Sequence, residues 1–400
     1  MREVVVVAAK RTPIGRHHGV LKDIRPDDLA ALVLKALLEQ TGLDPREVDD
    51  VLLGAANQAG EDNRNVARMA LLLAGFPVEV PGATVNRLCG SSLEAVNRGY
   101  QAIFSGEADV IIAGGVESMT RAPFVLPKFD TAFPVGNREI FDTTIGWRMV
   151  NPRLAAQYYP YSMGETAENL AERFGLTREE QDAWALRSHQ RAVLAQTAGR
   201  FADELIPVPI ENPKTHEVKW VTQDEHPRPD TSLEKLAQLK PAFRPGGTVT
   251  AGNSSGINDG AAAVMLMEES VALRHNLEPL AYIRGGGVAG VDPAIMGYGP
   301  VPATQRALQR HGWTLDEIER VELNEAFAAQ VLAVLHDLPF DRDIVNPEGG
   351  AIALGHPLGA SGARILTTLI YGMRRQGARR GVATMCIGVG QGITTLVERP

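Results

Sequence analysis

Cysteine is nearly missing from this sequence: 400 residues hold two, Cys89 and Cys386. Two thiols so far apart exclude a disulfide framework and a cysteine-based zinc motif. No apolar run is long enough to cross a bilayer, so a membrane-spanning helix is excluded as well. Aromatic residues make up only 6%, and lysine is scarce beside arginine. A basic surplus is also absent. The formal net charge is −8, which argues against a nucleic-acid binder. The first ten residues, Met1–Lys10, lack the flanks of a signal peptide and read as a buried strand. The expected compartment is therefore the cytoplasm, with no membrane and no nucleic acid as partner. What is present suits a globular chain with a large core: 44% apolar and 22% charged residues.

Strands alternate with helices at both ends of the chain. Glu3–Ala9 reads as a strand. Asp27 or Asp28 is expected to cap a helix through Leu29, Val33, Leu34, Leu37 and Leu38, which Thr41–Gly42 ends. Val51–Gly54 is a strand, and Asn65–Ala74 a helix stopped by Gly75 and Pro77. Ala83–Val85 leads into a turn at Asn86, Cys89 and Gly90. Ser91 or Ser92 then caps a helix through Leu93, Val96, Tyr100, Ile103 and Phe104. The strand Asp109–Ala113 closes on Gly114–Gly115.

From about 118 to 248 the alternation breaks. Prolines are frequent, and the clear elements are helices at Met163–Phe174 and Arg178–Gln196. An insertion of this length is more often functional than idle. His226, Arg228, Lys235 and Lys240 give its end positive charge, although exposed charge is usually just solvated. The turn-rich stretch Thr248–Gly260 then feeds a strand, Ala261–Met267. Further strands are expected at Pro279–Val288, Glu319–Leu323, Ile344–Asn346, Gly381–Met385 and Ile393–Glu398. Helices are expected at Ala303–His311, from Asn324 onward, and at Ala363–Met373. The two sets echo each other, which predicts a duplicated α/β unit with a sheet covered on both faces.

Reactive residue types cluster in the turns at strand ends, where open α/β sheets bind ligands. Cys89 stands at a helix start, where unpaired N–H groups favour a thiolate. His356 lies in the Gly-rich turn Gly355–Gly362 and has the chemistry of a base for it. Cys386 heads a second Gly-rich turn and has the chemistry of an acid or base. Asn324 has that of a water holder, an oxyanion donor or a helix cap. Each has a plain structural alternative, because buried thiols and lone histidines are mostly structural. Their joint occurrence points to acyl transfer. Two thiols meeting in one pocket would also have the means to pair under oxidation.

These segments resemble the thiolase family over essentially the whole chain. The nucleophile segment is Asn86–Ser92, the Asn-Glu-Ala-Phe box is Asn324–Phe327, the Gly-His-Pro box is Gly355–Gly362, and the last Gly-rich box is Cys386–Gly392. Gly252–Gly260 and Gly297–Pro300 match too. The resemblance implies an α/β fold of two similar halves packed in five layers, with a loop domain inserted in the first. The expected bounds are 1–118, 119–248 for the insertion, 249–272 for the end of the first half, and 273–400. It implies thiolytic cleavage of a 3-oxoacyl-CoA to acetyl-CoA and a shortened acyl-CoA, reversible as a condensation. Cys89 would be the nucleophile and His356 its base, with Cys386 as acid and base and Asn324 holding a water. The N–H groups of Cys89 and Gly388 would form an oxyanion site. Ser255, Arg228, Met163 and Phe327 would meet coenzyme A and the acyl chain. No metal and no tightly bound cofactor are implied, only coenzyme A as co-substrate. The expected assembly is a homodimer, paired into a homotetramer.

One departure bears on the branch. Short-chain biosynthetic thiolases carry His before the Met-Gly pair, and this chain has Ser162 there. Gly60–Arg68 and Phe141–Trp147 resemble the 3-oxoadipyl-CoA type of aromatic degradation. Fatty-acid β-oxidation and short-chain acetoacetyl-CoA cleavage are the other expectations. A ketoacyl synthase would share the fold and the nucleophile, but not the Asn324 box or Cys386. A non-catalytic acyl-CoA binder would not need four reactive side chains.

Overall fold

The computed structural model describes residues 2–400; Met1, read as the start of the first strand, lies outside them. The first half holds β1 (Val4–Arg11), α1 (Pro26–Thr41), β2 (Asp50–Gly54), α2 (Val66–Leu73), β3 (Gly82–Val85), α3 (Ser91–Ser105) and β4 (Val110–Ser118). The insertion supplies α4 (Met163–Phe174), α5 (Arg178–Thr197) and short hairpins. β5 (Asn258–Glu268) then returns to the first half. The second half holds β6 (Ala281–Gly290), α6 (Pro300–His311), β7 (Arg320–Leu323), α7 (Ala328–Asp337), α8 (Ser361–Gln376), β8 (Arg380–Ile387) and β9 (Gln391–Glu398).

The strands run in the order β7-β8-β9-β6-β1-β5-β4-β2-β3. Each half repeats one pairing scheme. In the first, β2 is parallel to β4, which is antiparallel to β5, which is antiparallel to β1. In the second, β7 is parallel to β8, which is antiparallel to β9, which is antiparallel to β6. Val5 and Val6 join the halves by pairing with Tyr282 and Ala281.

The strands read as unbroken apolar runs because both faces are covered. Val4 and Val6 of β1 pack into the central core with Leu93 and Val96 of α3 and Ile365 and Leu369 of α8. Val5 and Val7 face the other way, toward Leu29, Val33 and Leu37 of α1 and Leu71 of α2. On the far side, Val382 and Leu396 meet Leu308 of α6 and Val331 and Leu335 of α7. The five layers are thus α1/α2, sheet, α3/α8, sheet and α6/α7.

Several local expectations change. Arg25, not an aspartate, precedes α1. Pro26 opens the helix, and Asp27 bonds back to Arg25, as proline suits a first helical position. Gly42 ends it in the left-handed conformation, as read. Gly90 precedes α3, and neither serine caps it. The Ser92 hydroxyl instead accepts from Ala363 N–H at 2.9 Å, capping α8 from across the core. The helices can meet there because Gly362 has no side chain; a Cβ would lie 2.5 Å from Leu93 N. Ile344–Asn346 is not a strand: a 3-10 turn and one bridge, Val345 to Val321, stand in its place. α7 starts at Ala328, so Asn324 is not its cap.

β4 does not close at Gly114–Gly115 but runs on to Ser118. A Cβ on Gly115 would meet the Gly359 carbonyl at 2.1 Å, so the strand passes directly under the loop of the second half. Gly115→Ala should therefore push the halves apart and lower stability by about 1–3 kcal/mol. A urea melt of the variant checks this, and an unshifted midpoint would refute the close contact.

Candidate active site

The turns at the strand ends enclose one cavity of about 970 Å³. Cys89, His356, Cys386, Gly388, Met163, Phe327, Ser255 and Arg228 all line it. Asn324 does not reach the wall. It is buried behind His356, its amide nitrogen 3.5 Å from Nδ1 and its Oδ1 unpartnered among the described residues.

The Cys89 turn is held from within. Leu88 adopts a positive φ of 46°, and the Asn86 side-chain Oδ1 accepts from Leu88 N–H at 2.9 Å. Ser91 Oγ accepts from Arg87 N–H at 2.9 Å. His356 is fixed from three sides. Its backbone N–H donates to Asn258 Oδ1 at 2.9 Å. The Ser361 hydroxyl lies 2.6 Å from Nδ1 and 2.9 Å from the Pro357 carbonyl. A carbonyl can only accept, so the hydroxyl proton goes to Pro357 and Nδ1 carries the ring hydrogen. The lone pair is left on Nε2, the base position.

Electrostatics corrects one expectation. The helix start does not lower Cys89. Burial pushes the thiol up to about 11, against the opposing N–H groups of Gly388 and of Cys89 itself. Burial raises Cys386 further, and its neighbour Cys89 adds to this. Burial, with Arg364 behind it, pushes His356 down to about 3. At neutral pH the site therefore holds a thiol beside a neutral imidazole. It is set to pass a proton when substrate is attacked, not to store an ion pair. The Gly388 and Cys89 N–H groups face the Cys89 sulfur.

The residues that sequence reasoning missed are those that position the others. Glu117 accepts from Ala56 N–H at 2.9 Å, Asn57 N–H at 3.1 Å and Gly359 N–H at 2.8 Å. It ties the floor of the first half to the histidine loop of the second. Its place just after Gly114–Gly115 was the available signal. Ser361 stood inside the Gly-His-Pro box. Glu325 follows Asn324 and accepts from Trp184 Nε1, Ser188 Oγ and Asn346 Nδ2, locking α5 to the box. Nothing in the sequence marks Arg364, whose buried guanidinium lies 3.9 Å from Glu322.

The positive end of the insertion also differs from its reading. His226 and His189 are uncharged at neutral pH, pushed by burial and then by Arg228 to about 3 and about 4. Lys235 pairs with Asp230 at 2.7 Å, and Lys240 is off the cavity wall. Arg228 remains, exposed at the mouth. Ser162 opens α4 with a reciprocal capping box to Glu165.

Comparison with known sequences decides the family. The thiolase N-terminal domain matches residues 4–270, and the thiolase C-terminal domain residues 277–399. The chain belongs to the thiolase family. This thiolase is 55% identical to a beta-ketoadipyl-CoA thiolase of Pseudomonas aeruginosa, over all of this chain and 99% of that one. It is 54% identical to the Escherichia coli 3-oxoadipyl-CoA/3-oxo-5,6-dehydrosuberyl-CoA thiolase, over the full length of both. The Bacillus anthracis acetyl-CoA acetyltransferase structure superposes with a TM-score of 0.94 at 43% identity, over 100% of this chain and 99% of that one. Human mitochondrial 3-ketoacyl-CoA thiolase gives 0.92 at 42%, with the same coverage. The thiolase is an acyltransferase that uses coenzyme A thioesters as substrates.

Glu117 allows a direct test of the inter-half tie. Burial raises its carboxyl from 4.5 to about 7. A raised folded value gives stability that is present below the unfolded value and lost as pH rises through the folded one. The wild type should therefore lose stability relative to Glu117→Gln as the pH rises from 4.5 to about 7. Denaturant melts of both proteins at stepped pH read this difference, and parallel curves would refute it.

Proposed function

We propose that this thiolase cleaves 3-oxoadipyl-CoA, releasing acetyl-CoA and leaving the four-carbon acyl group on Cys89. The observation that carries the mechanism is the single cavity lined by Cys89, His356, Cys386 and Gly388. The substrate reading is supported by relatives named beta-ketoadipyl-CoA thiolase. It is preferred here to the fatty-acid β-oxidation and acetoacetyl-CoA expectations.

In this reading, His356 Nε2 takes the Cys89 proton as sulfur adds to the 3-oxo carbon. The Cys89 and Gly388 N–H groups receive the tetrahedral oxyanion. Collapse breaks the bond between the second and third carbons, and Cys386 protonates the departing enolate carbon. His356, with a water held by the Asn324 Oδ1, steadies the enolate oxygen. Coenzyme A then gives its proton to Cys386 and attacks the thioester; the Cys89 sulfur leaves and takes back the proton held on His356, which restores both thiols and the neutral imidazole. Removing one oxyanion donor costs about 3–4 kcal/mol. Ser255 would meet the pantetheine and Arg228 the adenine, where a guanidinium plane can stack. Met163 and Phe327 would wall the acyl chain.

The same reading places the enzyme in the cytoplasm and keeps the division at 118, 248 and 272. It also includes a dimer, with two dimers forming a tetramer. β3 is the open edge of the sheet, and Leu72, Leu73 and Val78 beside it are exposed. Sedimentation at the mass of a single chain would remove the dimer.

The deciding assay is thiolysis of 3-oxoadipyl-, 3-oxohexanoyl-, 3-oxodecanoyl- and acetoacetyl-CoA, with Cys89→Ala as control. Activity should vanish in the control, and the diacid should be preferred. Turnover of none of them by protein that binds coenzyme A would sink the reading. The kcat/KM profile should show no limb at the ordinary imidazole value of 6.5, because His356 is already neutral there. Ser361→Ala should lower kcat by about 10²-fold through misplacement of the ring.

A further inference from the structure

The cavity wall carries four permanent cations: Arg16, Arg148, Arg228 and Lys235. Three of them have a place. Lys235 is paired with Asp230. Arg228 and Arg16 stand together, since the charge of each acts on both His189 and His226. That end adjoins Ser255 and suits a coenzyme with phosphates. Arg148 is different. It is half-buried on the wall, whereas Arg16 and Arg228 are exposed, and among the described residues none of these three arginines has a carboxylate within ion-pairing distance.

Its position follows from the segment that carries it. Asn57 Nδ2 donates to the Thr143 carbonyl at 3.2 Å and to its hydroxyl oxygen at 2.9 Å. Asn86, in the nucleophile turn, donates to the neighbouring Ala56 carbonyl at 3.0 Å. Further along, Trp147 Nε1 donates to the Tyr161 carbonyl at 2.9 Å, just ahead of Met163. The segment thus spans from the Cys89 side of the cavity to the Met163 side, with Arg148 next to its second anchor. A partly desolvated guanidinium without a carboxylate is unfavourable by itself and is completed by a carboxylate ligand, which it can hold through two parallel bonds.

We propose that Arg148 determines specificity by receiving the far carboxylate of a dicarboxylyl-CoA substrate. This rests on the diacid reading above. In such a substrate the carboxylate lies a few bonds beyond the carbonyl carbon that Cys89 attacks. Coenzyme A leaves the cavity by the Arg228 end, so the two charged ends of the substrate meet two separate cationic groups. An uncharged chain of equal length would leave Arg148 unpaired.

The test compares kcat/KM for 3-oxoadipyl-CoA and 3-oxohexanoyl-CoA, which have equal length and differ in the terminal carboxylate. Arg148→Gln should lower the ratio of diacid to uncharged substrate by about 10–100-fold, the worth of a charged hydrogen-bond partner. Arg148→Lys should fall between, since it keeps the charge and loses the fork. Circular dichroism and a thermal melt confirm that each variant is folded. Equal loss on both substrates would overturn the proposal, as would a raised KM for coenzyme A alone. A wild type that shows no preference for the diacid overturns the substrate reading and this assignment together. A wild-type preference that survives Arg148→Gln overturns only Arg148, and Arg16→Gln and Arg228→Gln then test the other two arginines of the wall.

Discussion

Everything reactive in this enzyme depends on one buried carboxylate that holds two halves of the chain in register. Glu117 leaves the end of β4 and takes backbone N–H groups from Ala56 and Asn57 of its own half and from Gly359 of the other. Cys89 belongs to the first half, and His356 and Cys386 to the second. Neither half contains a working site. The two oxygens of the carboxyl group face three donors at once, whereas an amide of the same size has a single acceptor oxygen. The contact is close because Gly115 and Gly359 have no side chains there. The Ser92 bond to Ala363 adds a second tie between the helices of the middle layer.

The same burial sets the chemistry. Deep in the five-layer fold, charge on either cysteine or on His356 is disfavoured, so all three rest uncharged. A site of neutral groups avoids the cost of an isolated buried ion pair. In the proposed reaction its acidity and basicity are expressed only once the 3-oxo carbonyl of the substrate is present. The fixed N–H groups of Cys89 and Gly388 and the ordered imidazole then act without reorganisation. Ser361 contributes by choosing which imidazole nitrogen is free. The arginines of the cavity wall contrast with this neutral floor.

Particular residues show where reading the chain succeeds and where it stops. The strands and helices were legible because short unbroken apolar runs such as Val4–Val7 and 3.6-period faces such as Leu29–Leu37 depend on local sequence alone. The Gly114–Gly115 pair was misread as a strand end, because Gly115 makes room for a loop that arrives more than two hundred residues later and Gly114 for the neighbouring strand at Ala262–Ala263. Asn324 looked like a helix cap by sequence, yet it is spent on the space behind His356. Ser91 and Ser92 looked like caps for their own helix, and one of them caps another. In each case a long-range partner outbid a local preference.

By itself the sequence determined the family, the alternating α/β plan and the identity of the reactive groups, because these follow from residue type and spacing along the chain. Only the tertiary structure decided their state. Burial, which no spacing encodes, holds the thiols protonated and the imidazole neutral. Packing made Glu117, Ser361 and Asn258 into positioning groups, and it left Arg148 half-buried on the cavity wall. The physical reason is the same throughout: desolvation and hydrogen-bond partnership are properties of surroundings, and the surroundings come from distant parts of the chain.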